Sequence, residues 1–147
     1  LYIELCIAYG VVVFHENPAT SRLWFFPPLL RLLTQASQNS VFDHCQFGSS
    51  NKKPTRVVVW GSQDEMFEHG CHTCKKVCSK TNKPHTPLVG LNAQRQFATA
   101  GASAHPKDFA IALAKYIKNM DKNNNCLLYT CYLRIACSMP LILGQYI

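Results

Sequence analysis

The chain has 147 residues, enough for one domain with a real core. Its hydrophobic fraction of 48% is that of a globular protein, which sets aside a chain held open by polarity. Charged residues are scarce at 16%, yet the formal net charge is +7, with most of the fifteen Lys and Arg between Lys52 and Lys118. That balance favours nucleic acid or another anionic surface as partner, with a solvated basic face as the plain alternative.

Taken in chain order, Ala8 to Phe14 reads as the first strand, a run of Val and aromatic residues closed by His15-Glu16-Asn17-Pro18. The residue before a proline is pushed out of helical geometry, so a carboxylate and an amide are expected at a strand's carboxyl end. In open α/β sheets that edge binds ligands. Residues 19 to 37 read as helical, capped by Thr20 or Ser21, and restarting with Pro28 in the first turn after the Pro27-Pro28 interruption. Ser37 to Ser40 reads as a loop and Val41 to Phe47 as a strand ended by Gly48. A basic loop, Ser49 to Pro54, leads to a third strand, Arg56 to Trp60, ended by Gly61, and the two strands pair as a hairpin. Ser62 to Ala104 shows no sustained periodicity, and so long a stretch inside a compact domain is usually functional or held by something. His105-Pro106 then opens a helix with Phe109, Ile111, Ala112, Leu113, Tyr116 and Ile117 as apolar positions and Asp108 near its positive end.

Composition changes after Met120. Asp121 to Asn125 is a polar break, and Cys126 to Ile147 is apolar and about as long as a membrane span. Arg134 lies inside that run and Pro140 breaks it, so a non-native or poorly ordered tail is expected ahead of a membrane helix. The expected division is therefore residues 1–120 as the folded part and 121–147 as the tail. The start at Leu1-Tyr2-Ile3, within an element, points to a fragment of a longer protein.

Three constellations carry chemistry. Glu16 can hydrogen-bond a ligand's amino group and ring nitrogen, or cap the next helix, or pair with Arg22. The strand end Cys45-Gln46-Phe47-Gly48, followed by Lys52-Lys53-Pro54-Thr55-Arg56, brings amides and ammonium groups to one edge suited to phosphate; an ordinary hairpin with a solvated tip is the alternative. Cys71, Cys74 and Cys78 with His85 make a complete tetrahedral set for zinc, set against free thiols in a loop. A bound metal explains how a loop with so little apolar content is ordered. There are eight cysteines, and their clustering with histidine, without a secretory leader pattern, fits an intracellular metal site better than a disulfide framework.

Glu16-Asn17-Pro18, Cys45-Gln46-Phe47-Gly48 with Lys53-Pro54-Thr55, the Cys-containing loop, and Ala102 to Pro106 occur in an order that resembles the C-terminal half of phage-type and mobile-element DNA cytosine methyltransferase-like proteins. The resemblance covers about Gly10 to Ile117. It implies an α/β fold, a partial Rossmann-like sheet with a Cys/His-containing loop, in a family that binds S-adenosylmethionine and methylates a cytosine in DNA. By resemblance Glu16 recognises the base, Asn17 and Pro18 shape the turn, and Cys45, Gln46, Lys52, Lys53, Thr55 and Arg56 contact DNA or the flipped base. The chain departs from the family at two places: it has no Gly-rich cofactor loop after an early strand and no Pro-Cys nucleophile. A fragment inactive on its own is therefore expected. The rival expectation is a non-enzymatic, zinc-binding, nucleic-acid-binding module, and the plainest is a degenerate remnant without activity.

Overall fold

A computed structural model describes residues 2–62, 73–91, 94–100, 102 and 104–123. Helix α1 (Tyr2–Ala8) precedes strand β1 (Val13–Pro18), and a 3-10 turn (Arg22–Phe25) leads into helix α2 (Pro27–Leu33). Strand β2 (Gln38–Asp43) runs into a second 3-10 turn (His44–Phe47), then come strand β3 (Pro54–Trp60) and helix α3 (Lys107–Asn123).

The first strand starts later than the apolar run suggests. Val11 N–H donates to the Cys6 carbonyl at 2.9 Å and Gly10 N–H to that of Ile7 at 3.0 Å, with Gly10 at φ 68°. This is a Schellman closure, in which a left-handed residue satisfies the last carbonyls of a helix at no steric cost when it is glycine. The Tyr9-Gly10 pair therefore ends α1, and β1 begins at Val13. Glu16 consequently lies inside β1, opposite Val57, rather than at its end.

Four of the expected stretches differ in kind or extent. The helix expected from residue 19 is a 3-10 turn capped by Ser21, whose Oγ accepts from Leu23 N–H at 3.3 Å, and α2 starts afresh with Pro at its first turn. The expected loop Ser37–Ser40 is mostly strand, because β2 pairs with β3 from Gln38 onward. The residues after Asp43, expected to continue that strand, turn away as the second 3-10 turn, closed by Gly48 at φ 88°. Helix α3 runs into the expected polar break, as far as Asn123. The rest of the tail expected over 121–147, residues 124–147, lies outside the described residues.

The sheet has three strands in the order β1-β3-β2, and both pairs are antiparallel. A Rossmann-like sheet is parallel and joined by crossover helices. The partial Rossmann-like sheet expected from the resemblance is therefore not shown. What stands is a mixed fold of helices and a small antiparallel sheet that contains the expected β2–β3 hairpin.

Central strand β3 explains the layering. Side chains alternate across a strand, so Val57 and Val59 face one way and Val58 and Trp60 the other. Val57 and Val59 pack with Val12, Phe42, Phe109 and Tyr116 beneath α3. Val58 and Trp60 pack with Cys6, Val13, Trp24, Leu29 and Leu32 of the α1/α2 side. Burial on both faces is why Val57-Val58-Val59-Trp60 is continuously apolar. No helix among the described residues is long and apolar enough to cross a membrane.

Candidate metal centre

A third buried cluster, of Cys45, Cys74 and Cys78, lies beside the end of β2. The 3-10 turn after Asp43 carries Cys45 into it. Cys74 reaches it because the β2–β3 hairpin grips its backbone from both sides. Asp43 Oδ2 accepts from Cys74 N–H at 2.5 Å, and Lys52 Nζ donates to the Cys74 carbonyl. Lys52 Nζ also lies 3.7 Å from Asp43 Oδ2. Cys78 is placed by a tight turn in which its N–H donates to the Lys83 carbonyl at 2.9 Å and Asn82, at φ 54°, returns an N–H to the Cys78 carbonyl at 2.8 Å.

His85 completes the group. Its Nδ1 lies 3.0 Å from the Lys76 carbonyl, which holds a proton on that nitrogen, so that in the neutral ring Nε2 carries the lone pair. Nε2 is buried and has no hydrogen-bond partner. The ligand atoms of Cys45, Cys74, Cys78 and His85 all lie within 4.8 Å of one another. A zinc tetrahedron with metal–sulfur bonds of about 2.3 Å has edges of about 3.8 Å, so the set fits zinc with small adjustments. A carbonyl on the far nitrogen of a ligating histidine is the usual outer support.

The electrostatics favour ligand-ready sulfur. Burial alone would push the Cys74 thiol up, but hydrogen bonds from the Ser79 hydroxyl and amide and from Cys45 hold it below its usual value. Gln46 Nε2 also donates to Cys74 Sγ at 2.7 Å. The Thr81 hydroxyl, against burial and with the Thr81 and Lys80 amides, brings Cys78 down to about 6. Burial, followed by hydrogen bonds to the other two sulfurs, pushes Cys45 up. Burial would lower His85, but the thiols and the Lys76 carbonyl outweigh it and raise it. Three crowded sulfurs cannot all hold negative charge without a cation, which is the situation a divalent metal relieves.

Of the expected ligands, Cys74, Cys78 and His85 are brought together, and Cys71 lies outside the described residues. The fourth ligand atom is that of Cys45, expected instead at a nucleic-acid edge. No spacing rule within the Cys71–Cys78 segment points to it, because Cys45 is 29 residues before Cys74 and arrives through the hairpin.

The structure does not gather the expected base and phosphate contacts on one edge. Glu16 Oε2 pairs with His105 Nε2 at 3.4 Å, rather than with Arg22. Lys53 Nζ donates to the Ala102 carbonyl at 3.0 Å, and Thr55 Oγ1 lies 3.1 Å from His44 Nε2. These three residues belong to the α3 side of the sheet. Arg56 lies over the Trp24 ring at 4.7 Å and donates to Asn39 Oδ1, on the α1/α2 side. Asn17, opposite Arg56 in the register, alternates away from Glu16 with it. The Pro18 carbonyl accepts from Trp24 Nε1 at 2.8 Å. Cys45, Gln46 and Lys52 are engaged at the thiol cluster.

A compact Cys3His group that ties a loop to an antiparallel hairpin is the class of site this chain contains. No family model, curated protein or solved structure matches the chain.

Proposed function

We propose that the chain is a zinc-binding module in which Cys45, Cys74, Cys78 and His85 hold one Zn²⁺ and so fasten the loop of residues 73–86 to the β2–β3 hairpin. The observation that carries this reading is the convergence of four ligand atoms within 4.8 Å, with the buried Nε2 of His85 lacking any other partner. The site is closed by four protein ligands, the arrangement of a structural rather than a catalytic zinc. Its role is to present a surface. No Asp or Glu occurs from residue 69 to residue 107, and Lys75, Lys76, Lys80 and Lys83 are exposed around the ligands. An acid-free basic loop held rigid by a metal suits the phosphates of nucleic acid, DNA in the first instance.

Metal analysis of the purified chain tests the site. The expected result is one zinc per chain, lost in Cys45→Ser and kept in Cys71→Ser. Zinc lost with Cys71→Ser and kept with Cys45→Ser would return the fourth ligand to Cys71.

The methyltransferase-like reading keeps one supporting observation. Glu16 and Lys53 lie on the same side of the sheet, and both act on the buried His44 ring. It asks Arg56 to act from the opposite side and Cys45 to leave the thiol cluster. Nothing among the described residues supports S-adenosylmethionine.

A further inference from the structure

We propose that a peroxide-class oxidant joins Cys45 to Cys74 in a disulfide that takes over from the metal as the tie between hairpin and loop. The release of metal rests on the zinc reading above; the bond itself rests on the sulfur geometry. Cys45 Sγ and Cys74 Sγ lie 3.4 Å apart, in van der Waals contact. The pair is held together by more than a metal. Asp43 and Lys52 fix the backbone of Cys74, and Cys45 sits in the turn that follows Asp43.

Topology gives this pair its consequence. A bond from Cys45 to Cys74 crosses from the hairpin to the loop and constrains both. A bond from Cys74 to Cys78 would close a four-residue step inside the loop and leave the hairpin unattached. Oxidation through Cys45 and Cys74 therefore keeps the start of the loop anchored. It strips Cys78 and His85 of their shared metal, so the arm bearing Lys76, Lys80 and Lys83 keeps only hydrogen bonds such as Lys80 Nζ to the Gln46 carbonyl and Thr86 N–H to the Ser50 carbonyl. Metal occupancy and thiol oxidation thus hold the basic arm in two different ways.

The chemistry balances. Cys74 is the more exposed residue of the pair, at 7% against 1% for Cys45, and its sulfur takes the oxygen. Its thiolate attacks one peroxide oxygen, the O–O bond breaks, and Cys74 becomes a sulfenic acid while the other oxygen leaves as water after taking up a proton. The Cys45 sulfur then attacks the Cys74 sulfur. The S–S bond forms, the S–O bond breaks, and hydroxide leaves and takes up a proton to give a second water. Each sulfur loses one electron, the peroxide gains two, and Zn²⁺ departs without changing oxidation state.

The test uses the full chain loaded with zinc and treated with hydrogen peroxide. Released zinc is read with a chromophoric chelator, and disulfides are mapped by mass spectrometry of non-reduced peptides. One zinc should be released per bridge, and the Cys45 peptide should be linked to the Cys74 peptide. Dithiothreitol should reverse the link and restore zinc uptake. Metal-free Cys78→Ser should still form the bridge, because the pair does not need Cys78 to meet. A Cys74–Cys78 or Cys71–Cys74 bridge as the main product, or sulfinic acid without a bridge, overturns the inference. Zinc uptake with no Cys45–Cys74 bridge also overturns it and leaves the zinc reading standing. A bridge in a chain that never takes up zinc sinks the zinc reading alone.

Discussion

His44 belongs to two neighbourhoods at once. It precedes Cys45, a proposed ligand, and its ring lies 5.4 Å from that of His105, which in turn pairs with Glu16. Burial, joined by the charges of Lys53 and His105 and opposed by Glu16, takes His44 from 6.5 down to about 4. The folded protein therefore keeps the ring neutral where the unfolded chain would protonate it. Its contribution to stability is complete above about 6.5, declines as the pH falls, and is gone by about 4. In metal-free protein, the urea midpoint should fall across that window, and His44→Gln should fall less steeply. Equal slopes for both proteins would assign the acid sensitivity to another group. None of this was legible in the sequence. Asp43 and His44 are polar neighbours of Cys45 with no pattern that marks them for burial, and Lys52 and Lys53 read as phosphate contacts. Lys52 serves a buried carboxylate and a carbonyl instead, contacts that arise only once the hairpin has folded.

Among the elements, legibility follows how many faces are buried. Strand β3 and helix α3 were readable because Val57 to Trp60 is covered on both sides and because Phe109, Leu113, Tyr116 and Ile117 recur at helical spacing behind Pro106. Edge strand β2 was half missed: Gln38 and Ser40 carry no apolar signal, and only backbone pairing with β3 makes them strand. Helix α1 merged with the following apolar run, and Gly10 as its terminator was the overlooked cue. The basic loop is the element on which the nucleic-acid proposal rests. Lys75, Lys76 and Lys83 project from it into solvent. If they neutralise phosphates of duplex DNA, changing all three to Gln should reduce the slope of log K against log salt by roughly 2–3, since each contact contributes about 0.9. Fluorescence anisotropy at several salt concentrations measures this. A slope that does not move would take the loop out of the interface.

For the molecule as a whole, what matters is how far the influence of the proposed metal extends. The two apolar clusters flanking the sheet are built from α1, α2, α3 and the three strands, and neither contains a ligand or a residue of the 73–86 loop. The loop has almost no apolar anchor of its own. Val77 is exposed, and the loop's attachments besides the cluster are polar, such as Thr86 N–H to the Ser50 carbonyl at 2.9 Å. A segment that buries so little apolar surface cannot offset its own ordering entropy, and the metal proposed at the Cys3His cluster would supply the difference. The metal should thus govern a local unit and not the global fold. Adding a strong chelator to zinc-loaded protein should abolish amide-exchange protection at Cys74, Cys78 and Asn82. The emission of Trp24 and Trp60, both buried on the α1/α2 side, should stay unshifted. A red shift accompanying the loss of metal would show that the sheet depends on the loop. The Cys3His centre would then be part of the folding core rather than a staple added to it.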